Sequence, residues 1–232
     1  MELTRDPWAG LFGGRVLDVA TGKGAFLAGL LEDLGSYSEI VGVDVDQNVE
    51  KPFLDRFGTI QSVRFVCADA NALPFQSESF DTVALGGSLH HVSQPRLVLS
   101  EMLRVLAPGG ALVIAEQLHD GQRGPSLTHR QFHEWSEQLL SIARPTYTRA
   151  ELVELLEGLD LPEISVVDQH DRSDPHDAAK VARYDAFIEG YLEKSQGRKA
   201  LVARGTRIRA RLHATGINVA SWVSVLGRKR RS

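Results

Sequence analysis

One stretch constrains this chain more than any other. Residues 15–26, RVLDVATGKGAF, place a short apolar run, a glycine-rich turn and a helical pattern in immediate succession. A glycine turn between strand and helix lets backbone approach a ligand closely, and the helix start offers unpaired N–H groups. The same rhythm continues along the chain. Strands are expected at Arg15–Val19, Ile40–Asp44, Val63–Cys67, Phe80–Leu85, Ala111–Glu116 and Ile164–Asp168, and a last one at Ile217–Leu226. Helices are expected over Gly22–Leu34, from Pro95 to Leu106, and from the capping box Thr148–Glu151 onward. Two amphipathic helices follow, one carrying Val181, Tyr184, Ile188 and Tyr191, the other Leu201, Gly205, Ile208 and Leu212. Short apolar runs alternating with helices specify an α/β fold with a parallel sheet.

The length, 232 residues, suits one α/β domain, and 43% apolar residues suffice for a sizeable core. One cysteine, Cys67, rules out an intrachain disulfide and points to a reducing compartment. The first residues hold no apolar leader, and no run reaches membrane length, so a soluble, cytoplasmic protein without a membrane span is expected. Net charge is -4, which speaks against general nucleic-acid binding. The charge is uneven, because Ser195–Ser232 contains ten Lys and Arg and no acid.

The turn fits phosphate binders poorly. Lys23 is followed by Gly24 rather than Ser or Thr, so it is no P-loop, and Phe26 and Leu27 stand where a dinucleotide motif needs its later glycine. Asp18, at the mouth of the turn, would repel a pyrophosphate. It suits a nucleoside ligand that carries an ammonium and a sulfonium, as S-adenosylmethionine does. Asp18 as a simple cap of the turn is the plainer alternative.

Four motifs, in order and spacing, resemble the class I S-adenosylmethionine-dependent methyltransferases, in particular the small-molecule branch that includes quinone-biosynthesis enzymes. They are VLDVATGKG at 16–24, VDVD at 43–46, VCADA at 66–70 with LPF at 73–75, and FDTV at 80–83 with LHHV at 89–92 and RVLAPGG at 104–110. The resemblance is close from Arg15 to about Glu116. It implies a Rossmann-like, seven-stranded, mostly parallel sheet with an antiparallel last strand, helices on both faces and a helical insert before that strand. It implies S-adenosylmethionine as cofactor, with Asp18, Ala20, Thr21, Gly22 and Gly24 around its methionine part. Asp44 would hold both ribose hydroxyls, with Val45 also in the cofactor site, Asp69 and Ala70 would hold the adenine, and Gly86 would lie near the methionine part. Many members have Gly at Ala20 and Thr at Lys23.

Ligands of open α/β sheets sit beyond the carboxyl ends of the strands. His90 and His91, after the fourth strand, are therefore candidates for a base or a substrate contact, with capping or packing as the alternative. His119, His133, Trp135, Tyr147 and Tyr184 are candidates for an acceptor pocket, although the aromatic ones would look the same as core residues. Residues 117–147 and 174–214 are expected to cap the site within a single domain, 1–232. His129 and His133 have a metal-ligand spacing but no clear third ligand, so packing is the stronger reading and no metal is expected. The expected activity is methyl transfer to a small-molecule acceptor. The alternatives are an RNA or protein methyltransferase, which the basic end of the chain would suit, or a catalytically silent S-adenosylmethionine-binding protein.

Overall fold

The structure is a computed structural model that describes residues 6–58, 60, 62–118, 123–140, 146–219 and 221–231. Its described residues form two compact units, Met1–Glu116 with Glu151–Asp168 and Val223–Ser232, and Gln117–Ala150 with Gln169–Trp222.

The first unit is built on a seven-stranded sheet in the order β3-β2-β1-β4-β5-β7-β6. The strands are β1 (Phe12–Val19), β2 (Ser36–Asp44), β3 (Val63–Cys67), β4 (Phe80–Gly86), β5 (Leu106–Gln117), β6 (Glu163–Gln169) and β7 (Trp222–Arg228). The pairs β1–β2, β1–β4, β2–β3 and β4–β5 are parallel, and β7 runs antiparallel between β5 and β6. This is the expected Rossmann-like sheet. Strands β1, β4 and β5 are buried along most of their length, and Val16, Leu17, Val83, Leu85, Leu112 and Ile114 are fully enclosed. Near-continuous apolar runs of that kind are what a strand covered on both faces requires.

Helices α1 (Ala25–Asp33), α2 (Glu50–Phe57), α3 (Pro95–Val105) and α5 (Arg149–Glu157) belong to this unit, apart from the first two residues of α5. The first helix starts at Ala25, not at Gly22. Gly22 and Gly24 adopt left-handed backbone, φ +52° and +74°, so the turn persists three residues longer than the apolar pattern suggests. Helix α2 was not expected from the sequence. It buries Phe53 and Phe57, whose rings meet at 5.0 Å. In α3, Arg104 donates to the carbonyls of Leu73 and Phe75, and Glu101 accepts from the Leu73 N–H, so this helix fixes the LPF segment.

The second unit contains α4 (Gly124–Leu140), α6 (Ala178–Lys194) and α7 (Lys199–Thr215). Its core joins Phe132, Trp135, Tyr184, Ile188, Ile208, Leu212 and Ile217. Gly205 allows α7 to close on α4, since a Cβ there would stand 2.3 Å from the Trp135 ring. Ile217 was expected to begin the last strand. It instead packs in this core, with its N–H on the Pro175 carbonyl, and β7 begins at Trp222. Among the described residues no helix is long and apolar enough to cross a membrane.

Gly42 lies mid-strand in β2 where a Cβ would meet the Phe53 ring at 2.5 Å and Thr21 Cγ2 at 2.9 Å. Phe53 is itself wedged against Phe57 and Phe65. Overpacking of this kind costs about 1–3 kcal/mol. Gly42→Ala is expected to lower the denaturant midpoint accordingly, and an unchanged midpoint would mean that α2 can move away from the sheet.

Candidate active site

The carboxyl ends of β1, β2, β3 and β4 meet at the switch in strand order between β1 and β4, where open α/β sheets bind ligands. A cleft of about 500 Å³ opens there. Ala20 and Gly22 come from the turn after β1, Val43–Val45 from the end of β2, Ala68–Asn71 from the segment after β3, and Ser88 with His91–Ser93 from the segment after β4.

Asp44 ties two of these segments together. One carboxylate oxygen accepts the Gly22 N–H at 2.8 Å, and the other accepts the Asp46 N–H at 3.0 Å. Val45 beside it is 74% exposed, an apolar side chain left open at the cleft. Asp69 Oδ1 accepts from both the backbone and the side chain of Asn71, each at 2.8 Å. The Asn71 Oδ1 is buried without a partner among the described residues.

Asp18 lies behind this wall, 1% exposed. Its Oδ2 accepts from the Thr21 hydroxyl at 2.5 Å, whereas its Oδ1 is buried without a partner among the described residues. Burial is the main force that pushes its pKa up from 3.8 to about 7. The Thr21 bond opposes that shift and the charge of Asp44 adds to it. The backbone is strained at the same place. Ala20 has φ +53°, a left-handed conformation that costs a residue with a Cβ about 1–2 kcal/mol, which is the physical reason that glycine is at home in that position. Gly24 and Gly86 serve packing here. A Cβ on Gly24 would strike Phe57 at 2.4 Å, and one on Gly86 would strike Phe26 at 2.0 Å.

The two histidines differ in their surroundings. His91 is exposed and lines the cleft. His90 is 2% exposed, and its Nδ1 lies 2.8 Å from Oε1 of Glu116, which is wholly buried at the end of β5. The other Glu116 oxygen accepts the Leu89 N–H at 2.9 Å. The two imidazoles are in contact, with ring centres 3.9 Å apart and planes tilted by 44°. Glu116 and Asn71 escaped the sequence reading. A buried acid closing a strand is visible in the sequence only as a polar residue that ends an apolar run.

The remaining candidates belong to the second unit. Trp135 is fully enclosed in its core and donates from Nε1 to the Leu201 carbonyl. Tyr184 packs edge-on against Phe132 in the same core, and Tyr147 is buried beside the short bridge to Leu118. His133 Nδ1 is 3.2 Å from Glu137. His129 pairs with Gln117, and burial, followed by the charge of His133, holds its pKa down to about 4. His119 lies outside the described residues.

Asp18 makes the free chain sensitive to pH. The folded chain keeps the Asp18 proton up to about pH 7, whereas the unfolded chain loses it near 3.8. Stability contributed by this group is therefore present at low pH and falls as pH rises through that window, by up to about 4 kcal/mol. Asp18→Asn retains an acceptor for Thr21 and removes the charge. Its melting temperature is expected to exceed that of the wild type by an amount that grows between pH 4 and 7 and then levels off. A gap independent of pH would show that Asp18 is ionised throughout.

Comparison with known proteins adds likeness in sequence and in fold. Residues 17–114 match the family model described as a methyltransferase domain. Demethylmenaquinone methyltransferase of Staphylococcus aureus (strain MRSA252) is 36% identical over 104 residues, which make up 45% of this chain and 43% of that protein. The match thus spans less than half the length of such curated relatives. A putative methyltransferase from Bacillus halodurans C-125 shares the fold with a TM-score of 0.63 at 17% identity, over 95% of each chain. Phosphoethanolamine N-methyltransferase 2 of Haemonchus contortus, solved with phosphomonomethylethanolamine and S-adenosylhomocysteine, has a TM-score of 0.58 at 18% identity, over 95% of this chain and 50% of its own. Residues 17–114 thus resemble a methyltransferase domain, and the chain is similar to the class I S-adenosylmethionine-dependent methyltransferases of the quinone-biosynthesis kind.

Proposed function

We propose that this chain transfers the methyl group of S-adenosylmethionine to a small-molecule acceptor. The observation that carries the reading is the donor set of the cleft. An acid closes β2, an apolar side chain stands open next to it, and a buried carboxylate oxygen without a partner lies behind the glycine turn. That set suits a nucleoside with a cationic tail and no phosphate. A volume of about 500 Å³ is within the range of nucleoside-sized ligands.

Asp44 accepts the two ribose hydroxyls, and Val45 packs on the adenine face. Asp69 receives the adenine amino group, with the buried Oδ1 of Asn71 behind it and the Ala70 backbone on a ring nitrogen. Asp18, once ionised, balances the ammonium across the turn formed by Ala20, Thr21, Gly22 and Gly24, and Gly86 closes the floor. The sulfonium supplies a methyl group that is already electrophilic, so the chain's own task is alignment and, where the acceptor carries a proton, its removal. His91 is the cleft-side base or acceptor contact. His90 acts through it, with its Nδ1–H held by the Glu116 carboxylate so that one tautomer and one ring orientation persist. Glu116 is thus a positioning residue.

Acceptor contacts are proposed for His133, Tyr147 and Tyr184 of the second unit, whereas Trp135, enclosed in that unit's core with its Nε1 on the Leu201 carbonyl, supports them by packing. The name of the Staphylococcus aureus relative suggests a demethylmenaquinone as the first acceptor to try. The cytoplasm is the proposed compartment, since the one cysteine, exposed at the end of β3, suits reducing surroundings.

The test is incubation with methyl-labelled S-adenosylmethionine and a panel of acceptors headed by demethylmenaquinol analogues, alongside tRNA and bulk protein. A labelled small molecule formed together with S-adenosylhomocysteine is the expected outcome. Asp44→Ala is expected to abolish turnover at ordinary cofactor concentrations. Glu116→Gln is expected to lower kcat by about a hundredfold and to shift its pH profile, with cofactor affinity unchanged. Label entering tRNA or protein alone would overturn the small-molecule reading. Cofactor binding with no transfer to any acceptor would favour a silent binding protein.

A further inference from the structure

The structure divides the basic end of the chain into two parts with different fates. On α7 three of the cations are engaged within the second unit. Arg204 pairs with Glu134 at 2.7 Å, Arg209 with Asp185 at 2.6 Å, and Arg211 donates to the Gly124 carbonyl. The later run, Arg228–Arg231, belongs to the first unit and lines a separate cleft of about 460 Å³ with Gly109, Pro162 and Glu163. Gly109 precedes the inner part of β5, Glu163 begins β6, and Arg228 ends the antiparallel β7. This cleft therefore opens at the amino-terminal edge of the parallel strands, opposite the candidate active site.

The run is fastened to the fold. Gly109 N–H donates to the Lys229 carbonyl at 3.0 Å, and Lys229 N–H donates to the Gly110 carbonyl at 3.1 Å. The Lys229 ammonium caps the end of α3 by donating to the carbonyls of Leu106 and Leu103, at 2.7 and 3.0 Å. Arg231 is laid across Gly109, with its Cγ and Nε 3.3 Å from where a Cβ would stand. Backbone and lysine are thus committed to structure, whereas the guanidiniums are not. Arg228 and Arg231 have no ion-pair partner among the described residues, and Arg230 reaches only an exposed Asp160 at 3.7 Å.

We infer that this cleft is a second binding site, for a small organic phosphate. Guanidinium groups held on fixed backbone around a concave surface are the chemistry that recognises phosphate. The volume is that of a small-ligand site. Glu163 among the cations works against a long polyanion lying through the cleft, and offers an acceptor to a hydroxyl instead. An adjoining cleft shares Pro162, Glu163 and Arg228 and adds Ile164, Ser165 and Leu226, so the ligand has room for an uncharged portion beside its phosphate. The inference does not depend on the activity proposed above.

Calorimetry of the full chain with pyrophosphate and with ribose 5-phosphate, each free of adenine, tests it. Saturable binding is expected for the wild type. In Arg228→Ala/Arg231→Ala the affinity is expected to fall at least about tenfold, with the ligand-free melting temperature unchanged. Arg231→Ala alone, at an exposed position, provides a milder variant should the double one unfold, and is expected to weaken binding in the same direction. No saturable binding of either compound would overturn the inference, as would equal affinity in wild type and variants. Binding to phosphatidylglycerol vesicles or to RNA without binding of either small phosphate would overturn it too, by assigning the charge to a macromolecular surface.

Discussion

The carboxylate of Asp44 is the joint on which the candidate site depends. It ends β2, and its two oxygens hold the Gly22 and Asp46 N–H groups. One side chain thereby sets the position of the glycine turn after β1 relative to the end of the neighbouring strand. The turn itself is strained at Ala20, which carries left-handed backbone ahead of glycines that adopt it freely. Strain of that kind persists only where the surroundings over-determine it. Here they do so through Asp44 on one side, Thr21 bridging to Asp18 on the other, and the Phe53–Phe57 pair packed beneath Gly24.

What was legible in the sequence follows from the range of the forces involved. Parallel strands covered on both faces write themselves as apolar runs, so β3, β4 and β6 were found within a residue or so. The exposed first half of β2, Ser36–Glu39, has no such run and was missed. Asp44 and Asp69 could be picked out because they close strands inside a motif. Glu116 could not, because its significance lies in partners brought together by folding, His90 and the Leu89 N–H across 26 and 27 residues, and Asn71 reads in the sequence only as a turn residue two positions after Asp69. Ile217 shows the converse. Its apolar neighbourhood reads as strand, yet the core of the second unit claims it, a tertiary preference that local pattern does not carry.

Charge tells a similar story. The ten cations after Ser195 read as one basic segment. In the fold they serve two purposes, since Arg204 and Arg209 of α7 are matched by acids of α4 and α6, while those after β7 gather around a cleft at the far edge of the sheet. A net charge summed over sequence cannot distinguish neutralised cations from available ones. The two histidines make the same point at smaller scale: His90 and His91 are adjacent in the chain, but one is buried on a carboxylate and the other faces the cleft. Fold alone does not fix function, so it is these site-level differences that carry the functional reading.

The central claim is that the cleft beyond β1 and β2 is made for a nucleoside with a cationic tail and not for a dinucleotide. The most direct measurement is calorimetric titration of the purified chain with S-adenosylhomocysteine, beside NADH and NADPH, in two buffers of different ionisation enthalpy below pH 7. The account requires saturable binding of S-adenosylhomocysteine alone, with a proton released on binding as the Asp18 carboxyl ionises against the ligand's ammonium. Binding of NADPH in its place, or of neither ligand, would contradict it.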